Sequence, residues 1–234
     1  GAGLMLKSFS RLRDIDPGFK AQNVLTMAFS LPPARYAEAA KIKSFYDQLQ
    51  HKIAALPGVE AVSFTTSVPL AGANVTGVLL EGQTFSNYGD QQLTVQSSVG
   101  VDYFRALGIR LLQGRTFTAQ DTSQSPLVVI IDERMANELF ADKDPIGQHV
   151  LLEEGRIKFE VVGVVAHVTH LSFETDNQSK VRFQLYGAYN QIPDQFSAQV
   201  MQNMKLVART STDPRAQIAA VRNQVFEVDR DQPV

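Results

Sequence analysis

The residue types best suited to chemistry gather at His167-Val168-Thr169-His170, with Glu174 and Asp176 close behind. Imidazole and carboxylate are ligands that zinc prefers, so a metal hydrolase built on His167 and His170 is the sharpest chemical reading of this stretch. Spacing weakens it. On an extended strand residues i and i+3 point to opposite faces, and only a helical turn would bring the two imidazoles to one ion. No His-Glu-x-x-His helix accompanies the pair, so the expectation is polar residues at a strand end and no metal site. His51 falls on the polar side of a helix and His149 begins a strand, and both read as surface groups.

Other chemistries are excluded more simply. The absence of cysteine rules out disulfides, thiolate catalysis and Cys-ligated zinc or iron-sulfur sites. There is no Walker-type phosphate loop, no dinucleotide fingerprint between a strand and a helix, and no Gly-x-Ser-x-Gly elbow, so ATP, NAD and a nucleophilic serine are unsupported. The 22 basic residues nearly balance the 24 acidic ones. No cationic stripe forms, which argues against nucleic acid as a partner. Phe45, Tyr46, Tyr103, Phe104, Phe117, Phe140, Phe159 and Phe183 could line an apolar ligand cleft, but most fall on inward stripes and read as core. The expectation is therefore a non-catalytic chain with no cofactor, no metal and no catalytic residue.

The elements that position these residues follow from periodicity. At 234 residues, 44% hydrophobic and 20% charged, the chain is ordinary globular material. Asn23–Leu31 reads as a strand ended by Pro32-Pro33, and Tyr36–Leu56 as a helix with Ile42, Phe45, Tyr46, Leu49, Ile53 and Leu56 on one stripe. Pro57-Gly58 stops it before a second strand, Val59–Thr66. Residues 67–92 read mostly as loop with at best an edge strand at Val78-Leu79-Leu80; Leu93–Val99 reads as a strand, and Asp102 as the cap of a short helix that Gly108 ends. Leu127–Ile131 is a buried strand, Asp132 caps the helix after it, and His149–Glu153 with Ile157–Val168 form a hairpin about Glu154-Gly155. Val181–Tyr186 and Lys205–Arg209 are strands, and Asp213-Pro214 starts a last helix with Ile218, Val221, Val225 and Val228 inward. The fold class is α+β: a strand-helix-strand subdomain built from both chain ends, 20–98 plus 198–234, with a mainly β insertion at 99–197. The start, Gly1-Ala2-Gly3-Leu4-Met5-Leu6 before the cationic Lys7, Arg11 and Arg13, reads as the end of a membrane helix, making 1–19 a membrane-proximal stalk.

Five stretches then stand in a familiar order. Leu56-Pro57-Gly58-Val59, Tyr103-Phe104-Arg105-Ala106-Leu107-Gly108-Ile109, Gly114-Arg115-Thr116-Phe117, Asp144-Pro145-Ile146-Gly147 and Val161-Val162-Gly163-Val164-Val165 resemble the periplasmic core domain of MacB-like ABC-transporter permeases of the MacB/FtsX superfamily. The opening Arg11-Leu12-Arg13-Asp14-Ile15-Asp16-Pro17-Gly18-Phe19 is similar to the segment leaving the first membrane helix in the duplicated orphan permeases of that group. The resemblance implies a porter-like α+β subdomain with a smaller β-rich, sabre-like one. It implies a place on the periplasmic face of the bacterial inner membrane, in an export permease. ATP would be hydrolysed on a separate cytoplasmic domain or subunit and would drive motion of this domain. Implied partners are the protein's own transmembrane helices, a second permease half or copy, the ABC ATPase, a periplasmic adaptor and an outer-membrane channel. The partner-binding surface and the substrate are not specified by it. An extracytoplasmic sensor or ligand-binding module is the alternative, and a sizeable apolar pocket with convergent polar groups would mark it.

Overall fold

The computed structural model describes residues 17–69, 74–87, 89, 91–169 and 181–232. The expected membrane-helix end with Lys7, Arg11 and Arg13, and the residues His170, Glu174 and Asp176, lie outside them. Contacts divide the described chain into two units, one from 17–66, 102–108 and 192–232, the other from 67–101 and 109–191. The fold is α+β, with an α+β unit drawn from both chain ends and a mainly β unit inserted.

The first unit rests on a three-stranded antiparallel sheet. Strand β1 (Val24–Ala28) pairs with β10 (Lys205–Thr210), which pairs with β2 (Val59–Thr65), in the register Met27, Leu206, Phe64. Paired residues share a face, so Leu25, Met27, Val62, Phe64, Leu206 and Ala208 make one apolar surface, and all are buried. Helix α1 (Ala39–Ala54) covers it with Ile42, Phe45, Tyr46, Leu49 and Ile53, spaced three and four apart as a buried stripe requires. The Tyr46 ring lies 4.8 Å from that of Phe64, and its hydroxyl donates to the Met201 carbonyl at 2.7 Å. Helices α4 (Asp194–Met201) and α5 (Ile218–Val228) pack against α1. The opposite face carries Ser63, Thr65 and Val207, and it too is buried, beneath α2 (Tyr103–Leu107). The phenol of Tyr103 shares a hydrogen bond with Thr65, and its complete burial pushes its pKa far above the ordinary value despite that bond. Gly108 ends α2 at φ 64°, a left-handed turn that glycine adopts without strain.

The second unit is a closed barrel. Strands β3 (Asn74–Leu80), β7 (His149–Leu152), β8 (Ile157–Val165), β6 (Val128–Asp132), β9 (Phe183–Ala188) and β4 (Gln92–Val99) form a ring, because β4 pairs with β9 on one side and returns to β3 on the other. The β6–β8 and β4–β9 pairs are parallel and the rest antiparallel. Closure removes the unpaired edges an open sheet would expose. Val78, Val129, Ile131, Val150, Leu152, Val161, Val164, Phe183 and Leu185 fill the interior, joined by Met135, Ala136 and Phe140 from α3 (Glu133–Leu139) and the residue after it. Strand β5 (Leu111–Gly114) lies outside the ring and pairs with the second half of β8.

Several expectations from sequence are corrected here. Strands β3 and β4, expected in the end-built subdomain at 20–98, join the barrel instead, because they hydrogen-bond to β7 and β9, while 102–108 and 192–197 group with the end-built unit. The strand expected at Val78-Leu79-Leu80 is the end of the seven-residue β3, which is paired on both sides rather than at an edge and whose Gly77 and mixed faces hide its period. Helix α4 and strand β5 had no clear pattern: α4 buries only Ser197 and Met201, and β5 is exposed throughout. Strand β8 stops at Val165 rather than Val168, since the Gln184 side chain binds both the N–H and the carbonyl of Val168 in place of a ladder partner.

Candidate functional site

The stretch that looked most like chemistry is spent on structure in its described part. His167 stands two residues beyond β8, and its Nδ1 is bonded to the carboxylate of Asp132, whose side chain is fully buried. The other oxygen of Asp132 accepts the Met135 N–H at 3.0 Å and caps α3, while the His167 N–H donates to Glu133 at 3.1 Å. One carboxylate thus satisfies a helix end and fixes an imidazole. Sequence gave Asp132 as a cap but offered no signal for its pairing with a residue 35 positions away, because the contact exists only where β6 and β8 lie side by side. Among the described residues no group of three or more His, Asp or Glu side chains is placed to hold a metal ion. His51 donates from Nδ1 to the Asp47 carbonyl at 2.7 Å, and His149 donates to Glu81 at 2.9 Å. Of the aromatic set, Phe45, Tyr46, Tyr103, Phe104, Phe117, Phe140 and Phe183 are buried and Phe159 is half-buried, which makes them core.

Three of the ordered motifs converge on one seam of the barrel. Gly114 sits at φ 68° where β5 meets β8, and a Cβ there would come within 2.2 Å of the Val162 carbonyl oxygen and 2.8 Å of Ile146 Cδ1. Gly163 faces it, and a Cβ on that residue would lie 2.3 Å from the Arg115 carbonyl oxygen. Gly147, at φ 79°, donates its N–H to Val161 at 2.8 Å. Gly114 and Gly163 are there because backbone passes against backbone, and Gly147 because its turn takes a left-handed φ. Arg115 then reaches Asp121 with both terminal nitrogens, at 2.8 and 2.9 Å, and Thr118 adds its N–H at 2.8 Å and its hydroxyl at 3.2 Å. Burial works to raise the pKa of Asp121, but these bonds outweigh it and hold the carboxyl below its ordinary value.

The end-built unit has a polar clamp between the β1–α1 connection and the end of α5. Tyr36 donates to Asp229 at 2.7 Å, Arg35 pairs with Asp229 at 2.8 Å, and the Gln232 amide donates to the Ser30 carbonyl at 3.1 Å. Beside it lies an open groove of about 470 Å³ lined by Lys41, Ser44, Phe45, Gln48 and Val228 together with the clamp. Its Arg35 and Tyr36 are directed at Asp229, so the groove is not the apolar pocket with convergent polar groups that marks a ligand module.

Comparison with known proteins decides the family. The model of the MacB-like periplasmic core domain matches residues 10–227. The chain belongs to the MacB-like periplasmic core domain family. The macrolide export ATP-binding/permease protein MacB of Neisseria gonorrhoeae is 34% identical over 94 residues, 40% of this chain and 14% of that protein, so the match spans a small part of the relative's length. Two solved structures share the fold. The periplasmic region of MacB from Actinobacillus actinomycetemcomitans has a TM-score of 0.56 at 18% identity, covering 90% of this chain and 86% of that one. The extracellular domain of the noncanonic ABC-type transporter YknZ from Gram-positive bacteria scores 0.54 at 17% identity, covering 89% and 94%. A MacB-like core domain is a periplasmic domain of an ABC-transporter permease. Among the described residues no helix is long and apolar enough to cross a membrane. In MacB-like terms, the seam glycines and the Arg115–Asp121 pair explain the family-like motifs as fold determinants.

Proposed function

We propose that this domain transmits motion driven by cytoplasmic ATP hydrolysis to the periplasmic face of an export permease and docks partner proteins there. The observation that carries this reading is the family match over residues 10–227. A transmitting element must move without deforming, and the closed barrel of one unit and the sheet of the other, covered on both faces, each support the reading. ATP hydrolysis is assigned to a separate domain or subunit, because the chain has no phosphate-binding loop. The partners proposed are the transmembrane helices, a second permease half or copy, the ABC ATPase, a periplasmic adaptor and an outer-membrane channel.

These 234 residues contain no cysteine, so a single label can be placed in this domain. A spin label at Gln120→Cys, an exposed position, in the membrane-embedded permease reports the distance between the domains of paired permeases. The expected result is a distance distribution that shifts between the ATP-trapped and nucleotide-free states. An unchanged distribution in a permease that hydrolyses ATP would overturn the reading.

A further inference from the structure

Strand β5 breaks the barrel's rule that edges are removed. It pairs with β8 through Leu111↔Val165, Gln113↔Val164 and Gly114↔Gly163, and no strand joins its other edge among the described residues. Every residue from Arg110 to Arg115 is exposed, and Leu111 and Leu112 are 42% and 38% exposed, two adjacent members of a short set of large apolar residues left in solvent. A bulge between Leu111 and Gln113 interrupts the alternation. Natural edge strands are blunted by shortness, charge, proline, bulges or a covering element. Strand β5 is short, bulged and flanked by Arg110 and Arg115, but it has no proline and no covering strand among the described residues, so its two leucines stay open to a partner.

Those end charges select the occupant. A second copy paired antiparallel with Leu112 opposite Gln113 would set Arg110 opposite Arg115 at both ends, where like charges destabilise a strand pair, and in every register residues 110–115 of a second copy contain no carboxylate to meet Arg110. Arg115 is already held by Asp121, whereas Arg110 has no ion pair among the described residues. A strand with apolar residues in its middle and a carboxylate at the end facing Arg110 satisfies backbone, leucines and charge together. We propose that β5 is a β-augmentation edge that docks an extended, acid-flanked apolar segment of a partner protein. It supplies a surface for the partner docking proposed above and rests on that reading for its setting, although its physics can be measured on the 234-residue chain itself.

The probe is a fluorescein-labelled hexapeptide, Glu-Val-Ile-Thr-Val-Glu, with Lys-Val-Ile-Thr-Val-Lys as its counterpart, titrated by anisotropy. The acid-flanked peptide is expected to bind saturably and more tightly than the lysine-flanked one. Arg110→Glu should weaken it at least about tenfold and shift the preference toward the lysine-flanked peptide. Leu112→Thr should weaken both, with Tm unchanged in each variant because these side chains are exposed. The proposal is overturned if the acid-flanked peptide fails to bind, if Arg110→Glu leaves its affinity unchanged, or if sedimentation shows a dimer of this chain that Leu112→Thr abolishes. Any of these removes β5 as a docking strand while leaving the interdomain distance measurement to judge the export reading separately.

Discussion

At the scale of single residues, Asp132 does two tasks at once. Asp132→Ala removes the cap of α3 and the partner of His167, and should destabilise the protein by about 2–4 kcal/mol, more than the roughly 1 kcal/mol of a cap alone. Urea unfolding of Asp132→Ala beside His167→Ala checks this: equal losses would mean the cap contributes nothing. The seam glycines give a sharper contrast. Gly114→Ala and Gly163→Ala each drive a methyl into a carbonyl oxygen and should cost about 2 kcal/mol or more, whereas Gly187→Ala, with nothing within 4 Å, should stay within about 0.5 kcal/mol. Similar midpoints for all three would refute the close-approach explanation. Asp121 adds a pH dependence. Its folded pKa is depressed below an unfolded value of about 3.9, so its stabilisation is fully present above that pH and is lost as pH falls through the lower folded value. Asp121→Asn should lower stability at about pH 6 and flatten the loss on acidification below about pH 4, read from unfolding midpoints across that range.

At the scale of elements, α1 shows how a readable pattern becomes a core. Its stripe meets Phe64 on β2, and the Tyr46 hydroxyl finds the Met201 carbonyl beside α4. Tyr46→Phe should cost about 1–2 kcal/mol by leaving that carbonyl unsatisfied, and Phe64→Ala about 3–5 kcal/mol by opening a cavity. Thermal unfolding ranks the two, and a larger loss for Tyr46→Phe would contradict the packing described. Helix α1, strand β6 and the helix after Asp213 were legible because each is long, strongly apolar or marked by a cap and proline. Strand β5 and helix α4 were not, since neither turns a regular apolar face to the core. Their positions come from partners distant in the chain, β8 for one and α1 for the other.

At the scale of the whole molecule, the ring of strands should make the barrel the most slowly exchanging part of its unit. Amides of β6, buried along its length and paired on both sides, are expected to outlast those of β5 in native-state hydrogen exchange by orders of magnitude. Comparable protection in the two strands would argue that the ring opens as readily as its appendage.

Composition, spacing and punctuation by themselves determined the α+β class, most elements, the lack of cysteine chemistry and phosphate loops, and the family, because these depend on local pattern and motif order. Only the tertiary structure decided that β3 and β4 close the barrel, that His167 belongs to Asp132, and that three motif glycines share one seam. Each of those is a meeting of residues far apart in the chain, and period and propensity carry no information about which distant strand a given edge will find.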